Sequence, residues 1–393
     1  MVTRRQSFAL VGGGVLAAGL ARAALAAVET DKRLVVVLLR GAMDGLSAAP
    51  ATGDPDYERA RNGLAIAPPG ESGGALKLDS TFALHPNLTG MKSLYDSGEM
   101  ILVHAAATPY RDRSHFDGQN LLENGAEQPY GLDTGWLNRA LAQMPATGKP
   151  LGVALNSHMP LMMRGPAAVT SWAPSLLAPP DSDTIQRLAS LYGETDPQLA
   201  ANFANAQSAN GVAMGGTGAG GGYQAFVGLM TAAAKFLSAP DGERIAMVEI
   251  GGWDSHVNQA GAFSPLSTNL LTLDRGLAAL KTGLGPAWKQ TAVVIVSEFG
   301  RTVAMNGTQG TDHGTGSAVF VAGGAVKGGR VLADWPGLKA GALYQDRDLK
   351  PTTDFRTIAT GVLRDHMGLQ GAQLAAVFPS SAPIKPRDGL IRA

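Results

Sequence analysis

Cysteine is absent from all 393 residues. Disulfides, thiolate metal sites and cysteine nucleophiles are therefore excluded. A surplus of either charge is also absent, with 32 basic residues against 32 acidic ones. No field of one sign is available to hold nucleic acid over a broad surface, so no nucleic-acid partner is expected. Charged residues are scarce at 16% while apolar ones reach 45%, enough to build a sizeable core and too apolar for a disordered chain. An apolar run of the ~20 residues that a membrane helix needs is missing as well, so no transmembrane span is expected in the mature chain.

The first 26 residues read as a signal peptide. Arg4-Arg5 is followed by a short apolar stretch from Phe8 to Leu20, then by the small-x-small pattern Ala24-Leu25-Ala26. The arginine pair points to the twin-arginine route, which exports proteins already folded. In the usual form of that signal the phenylalanine stands two places after the pair; here Phe8 stands three places after it. The expected location is the periplasm or the exterior of a bacterial cell.

Beyond the leader, residues 27–393 are expected to form a single α/β domain. Continuous apolar runs occur at Leu34–Leu39, Met100–Ala105, Ile245–Ile250, Ala292–Val296 and Ala318–Ala322. Their length and lack of alternation suit strands buried on both faces of a mostly parallel sheet. Helical patterns at Leu88–Ser97, Phe226–Leu237, Ser267–Leu284 and Asp354–Met367 lie between and after them, which argues for a layered fold with helices flanking the sheet. Asp181–Ser208 reads as helical, and Asn210–Gly222 is glycine-rich. No strand precedes Gly216-Thr217-Gly218, so a nucleotide-binding loop fails its context. The segment 181–222 is instead expected to be a cap or insertion.

The polar residues gather where these strands end. Leu34–Leu39 runs into Arg40-Gly41-Ala42-Met43-Asp44. Met100–Ala105 is followed by Arg111-Asp112-Arg113-Ser114-His115. Ile245–Ile250 runs into Gly251-Gly252-Trp253-Asp254-Ser255-His256, and Ala292–Val296 into Ser297-Glu298-Phe299-Gly300-Arg301. In open parallel sheets, ligands sit outside the carboxyl ends of the strands. The loop carrying Asp312 and His313 can fold back over the same edge. Carboxylates and imidazoles without thiolates suit a divalent cation, with zinc, manganese, magnesium and calcium all left open. His85, His104, His158 and His366 lack that context and read as structural.

The motifs LLRGAMDGL, YRDRSHFDGQ, GGWDSHVNQ, SEFGRTVAMNG, GTDHGTGSAVFVAGGAVKGGRV and TTDFRTIATGVL resemble the domain-of-unknown-function family 1501, over essentially the whole chain. That family resembles in turn the alkaline phosphatase and sulfatase superfamily. The resemblance implies an alkaline-phosphatase-like three-layer fold with a metal-dependent site at the strand ends. It implies Asp44, Asp254, His256, Glu298 and His313 as metal ligands, with Asp312 beside them. It implies Ser114 as nucleophile. Beside it, Arg111, Arg113 and Arg301 are expected to supply planar donors to a tetrahedral anion, with Arg113 or Arg301 stabilising transition-state charge and His115 in reserve for proton transfer. An Asp-His pair is the superfamily's pattern where Glu298-Phe299 stands, so one ligand is missing and the site is expected to hold fewer metals or to have lost catalysis.

Two functions follow from this reading. One is a hydrolase of phosphate or sulfate esters, with a small-molecule or polymer ester as substrate. The other is a non-catalytic envelope binding protein with a degenerate or structural metal site. The leader gives a direct test: exported protein should begin near Ala27 by N-terminal sequencing. Arg4→Lys with Arg5→Lys should stop export; undiminished export of that double variant would exclude the twin-arginine route.

Overall fold

In the computed structural model, residues 31–145, 148–175, 180–213, 223–261, 263–380 and 382–393 are described. The leader 1–26 and residues 214–222 of the glycine-rich segment lie outside them.

The apolar runs become the central strands. The strands are β1 (Arg33–Leu39), β2 (Leu76–Lys77), β3 (Ala83–Leu84), β4 (Met100–Ala107), β5 (Gly152–Leu155), β6 (Val169–Ser171), β7 (Ile245–Ile250), β8 (Thr291–Ser297), β9 (Ser317–Ala322), β10 (Arg330–Leu332) and β11 (Thr353–Asp354). The helices are α1 (Gly45–Ala48), α2 (Tyr57–Arg61), α3 (Thr89–Asp96), α4 (His115–Asn124), α5 (Trp136–Ala142), α6 (Ser182–Thr195), α7 (Pro197–Ala213), α8 (Tyr223–Ser238), α9 (Pro265–Leu284), α10 (Phe355–Asp365) and α11 (Gly371–Val377).

One large sheet has the order β10-β4-β9-β8-β1-β7-β5-β6, with β11 beside β4. β1 sits in its middle and pairs in parallel with both β7 and β8. β9 runs antiparallel to its two neighbours, β8 and β4. β4 therefore points the same way as β8, and the sheet is mixed but mostly parallel. Leu39 lies opposite Ile250 on one side and Ser297 on the other. The three strands thus end level and deliver their following loops to one edge.

Alternation along β1 explains the layers. Val35, Val37 and Leu39 face a core built with Met91 of α3, Met230 of α8 and Leu273 of α9. Leu34, Val36 and Leu38 face the other core, with Trp136 of α5 and Ile358 of α10. Both faces are dry, which is why the strand reads as one continuous apolar run. The helices are tied to one another as well as to the sheet. Leu88 offers α3 no side-chain cap; instead Asp274 of α9 accepts from the Gly90 and Met91 amides at 3.0 and 2.7 Å. α6 buries no residue, while α7 packs against α8 and β6. Among the described residues no helix is long and apolar enough to cross a membrane.

Three histidines are part of this framework. His104 in β4 donates from Nε2 to the Ala49 carbonyl at 2.9 Å and accepts the Ala105 amide at Nδ1. His366 donates to the Arg33 carbonyl at 2.8 Å, and His85 contacts the Ser267 hydroxyl at 3.3 Å. Burial pushes each of their pKa values down to about 4. In the unfolded chain each is near 6.5. Between those values the unfolded state holds more protons, so stability is full above pH ~6.5 and falls as pH drops towards ~4. Each histidine should contribute a slope of about 1.4 kcal/mol per pH unit inside that window. Urea denaturation at pH 7.5, 5.5 and 4.5 should show the loss, and His366→Gln should flatten it. An unchanged slope in that variant would contradict the assignment.

Candidate metal centre

The loop after β1 turns at Gly41, whose φ of +118° belongs to glycine. A Cβ there would lie 2.7 Å from the Asp254 amide. Only a bare backbone lets the β1 loop cross against the β7 loop so closely. The Gly41 amide then donates to Glu298 at 2.8 Å, which ties the β8 loop to the same crossing.

Four side chains meet over this edge. Asp254 and His256 come from the loop after β7, His115 from the first turn of α4, and His313 from the connection between β8 and β9. His256 Nε2 lies 3.0 Å from Asp254 Oδ1, and His313 Nε2 lies 3.4 Å from the same oxygen. His115 Nε2 is 3.6 Å from Asp254 Oδ2, beyond hydrogen-bond length, and is buried without a partner. The His256 and His313 Nε2 atoms face each other at 3.0 Å. His115, Asp254 and His313 each offer a donor atom within 4.8 Å of the others.

The far nitrogen of each ring is committed. His115 Nδ1 donates to Glu298 Oε1 at 2.9 Å, His313 Nδ1 to the Arg113 carbonyl at 2.9 Å, and His256 Nδ1 to Asp312 Oδ1 at 3.3 Å. Carbonyl and carboxylate oxygens carry no proton, so each Nδ1 must supply one. In the neutral rings the Nε2 atoms then present lone pairs to each other and to a carboxylate. Lone pairs crowded in this way repel unless a proton or a cation lies among them. Three imidazoles and one carboxylate, each ring held by a second contact, fit a divalent metal.

Arg301 supports Asp254 from beneath. It is 1% exposed and donates to Asp254 Oδ1 at 2.6 Å. It also donates to the Thr311 hydroxyl and carbonyl. Burial works against ionisation of Asp254, yet the Arg301 guanidinium outweighs it and holds the carboxyl below its usual range. Burial likewise opposes Glu298, and the bonds from His115 and Gln119 overcome it. The bond to Glu298 raises the His115 pKa against the effect of burial. At His313 burial dominates and lowers the pKa.

Several residues stand elsewhere than the sequence suggested. Asp44 does not join the four donors. It caps α1, accepting from the Leu46 and Ser47 amides, and pairs with Arg61 at 2.5 Å, both side chains being at most 1% exposed. Gln259 also donates to it. A buried guanidinium thus supplies the cation that a metal was expected to supply. Glu298 is fully buried behind His115 and accepts from it, from Gln119 and from Gly41, so it backs one of the four donors rather than joining them. Asp312 is half exposed and holds His256 in the same manner. Ser114 is the N-cap of α4, its Oγ 3.5 Å from the Asp117 amide. His115, expected as a proton carrier, faces the other donors.

Nor are the expected cationic clamps free. Arg301 is committed as above. Arg113 donates to Asp348 at 2.8 Å and to Gln345, and Arg111 to the Thr108 and Tyr110 carbonyls. Phe299, standing where the resemblance implied a histidine, stacks on the His115 ring at a centroid distance of 5.1 Å. Sequence reasoning overlooked Gln119 and Gln259. Gln119 carried a usable signal: it lies four residues after His115 and shares its helical face.

The Asp44 placement has a measurable consequence. Removing one partner of a buried ion pair strands the other charge at a cost of about 3–5 kcal/mol. Arg61→Met should lose that much stability in urea denaturation, and Asp44→Asn combined with Arg61→Met should recover most of it. A double variant no better than the single one would contradict the pairing.

No curated protein matches the chain in sequence. Among solved structures it is similar to a candidate sulfatase from Bacteroides thetaiotaomicron VPI-5482, at 11% identity and a TM-score of 0.39, over 90% of this chain and 76% of that one. It is also similar to the C-terminal periplasmic domain of EcEptC from Escherichia coli in complex with Zn, at 11% identity and 0.35, over 75% and 74%. A third similarity is to the phosphonate monoester hydrolase of Agrobacterium radiobacter, at 12% identity and 0.32, over 91% and 79%. The profile of the family described as Protein of unknown function (DUF1501) matches residues 31–378, and the chain belongs to that family.

Proposed function

We propose that the protein is an exported, metal-dependent hydrolase of phosphate or sulfate esters. The observation that carries this reading is the convergence of His115, Asp254, His256 and His313 at the carboxyl edge of the sheet, with each imidazole presenting Nε2. These four residues would hold one divalent cation. Such a cation polarises an ester oxygen and eases deprotonation of a hydroxyl or water beside it.

The chain's own groups complete the site. Asp254 and His256 are each 43% exposed at the side chain, so the site is open to solvent on their side. A purely structural metal site is closed. α4 begins at His115, so its N-terminus, the positive end of the helix dipole, belongs to the site and favours a tetrahedral anion. Ser114, adjacent to His115, is the nucleophile candidate, with the Tyr110 hydroxyl accepting its backbone amide at 3.1 Å. Asp254, kept ionised by Arg301, holds negative charge where a cation is bound.

A second reading is an exported binding protein whose metal only orders the loops. The commitment of Arg111, Arg113 and Arg301 to internal partners favours it, because it leaves none of these guanidiniums open to a substrate anion. The two readings differ in turnover. Mature protein loaded with zinc, manganese, magnesium or calcium should hydrolyse a member of a panel of aryl phosphate monoesters, diesters and sulfate esters. Ser114→Ala should reduce that rate at least 100-fold with metal content unchanged, and Asp254→Asn should reduce both. Metal binding with no hydrolysis across the panel would favour the second reading.

A further inference from the structure

Among the described residues, no Lys or Arg contacts the fully buried Glu298 carboxylate. Oε1 accepts from the Gly41 amide at 2.8 Å, from Gln119 Nε2 at 2.9 Å and from His115 Nδ1 at 2.9 Å; Oε2 lies 2.9 Å from the Ser297 hydroxyl, which also reaches the Leu39 carbonyl at 2.6 Å. Gln119 is itself fixed, since its Oε1 accepts from Arg40 at 2.8 Å. Arg40 in turn is held between Glu123 and Glu249. The carboxylate is thus pinned from three sides, with one of its bonds reaching the site. That bond decides which nitrogen of His115 carries the proton.

The alternative tautomer is closed off by the same geometry. With the proton on Nε2, Nδ1 would present a lone pair to the Glu298 oxygen at 2.9 Å, and Nε2–H would face Asp254 Oδ2 at 3.6 Å, beyond hydrogen-bond length. Both contacts are unfavourable. Phe299 stacked on one face holds the ring plane, so the imidazole cannot turn away to relieve them. His115 is therefore preset to offer Nε2.

We propose that Glu298 is a positioning residue that makes His115 a metal ligand, and that the resulting three-imidazole, one-carboxylate centre selects a nitrogen-preferring dication of the zinc class over magnesium or calcium. This rests on the metal-centre reading above and adds to it the class of ion and the residue that secures it. Hard dications prefer oxygen donors: calcium takes six to eight oxygens, and magnesium dehydrates reluctantly. Three nitrogens in a set of four suit zinc or cobalt instead. An outer carboxylate on a ligand histidine fixes the ring and raises its basicity, and its loss typically costs 10–100-fold in metal affinity.

The test is metal binding to the full mature chain, measured by titrating stripped protein with Co2+ and Zn2+, and by challenge with Mg2+ and Ca2+. The native chain should bind one Zn2+ that millimolar Mg2+ and Ca2+ leave in place. Glu298→Gln should weaken Zn2+ binding about 10–100-fold. Its visible Co2+ bands should keep their positions, since the ligands are unchanged. His115→Ala should shift those bands, because a nitrogen is lost. If Glu298→Gln fails to fold, nitrogen-15 spectra of the native stripped protein decide: His115 should carry its proton on Nδ1, and Zn2+ should perturb Nε2. A native chain that binds no Co2+ or Zn2+ overturns the metal-centre reading itself. A native chain that binds them while Glu298→Gln binds equally well overturns only the role of Glu298. Displacement by Mg2+ or Ca2+, or a proton on His115 Nε2, overturns the present inference.

Discussion

The parallel pairing of β1 with both β7 and β8 is the constraint on which the site depends. Because the three strands run the same way and end level, Gly41, Asp254 and Glu298 begin their loops side by side. Reversing β7 would move Asp254 to the opposite edge, about 20 Å away for six residues at ~3.3 Å each. The packing enforces the arrangement: each central strand is buried on both faces, and helices cover both layers. The antiparallel β9 keeps β4 aligned with the rest, so α4 and its His115 arrive at the same edge.

Placing many carboxylates at one edge of a low-dielectric core is costly unless each is answered by a donor or a cation. The chain answers most of them internally. Asp44 has Arg61, Asp348 has Arg113 and Arg347, and Glu298 has His115, Gln119 and the Gly41 amide. Asp254 is different. Arg301 donates to Oδ1, which His256 and His313 also approach, while Oδ2 faces His115, and the carboxylate stays half exposed. A network runs from Asp44 through Gln259 and Thr311 to Arg301 and so to Asp254. The buried pairs thus set a rigid platform, and the half-exposed group is the one left for ligation.

The core strands were legible in the sequence because burial on both faces writes itself as an unbroken apolar run, as in Leu34–Leu39. The short strands at one end of the sheet, Gly152–Leu155 and Val169–Ser171, were not, since they lack a distinctive pattern. The strand-end loops were legible by position, and three of the four converging donors, Asp254, His256 and His313, were among the expected ligands. What the sequence withheld was pairing at long range. Asp44 has its guanidinium 17 residues on, and Glu298 reaches His115 183 residues away. An aspartate sealed in a pair with arginine and one left facing three imidazoles look the same in a row of letters.

The most direct measurement is anomalous diffraction from crystals of the mature protein grown with zinc. A single strong peak should appear bonded to the Nε2 atoms of His115, His256 and His313 and to the Asp254 carboxylate, at about 2.0–2.2 Å from each. No peak at that position under saturating zinc, or a metal held by Asp44 and Glu298 with the imidazoles turned away, would contradict the account.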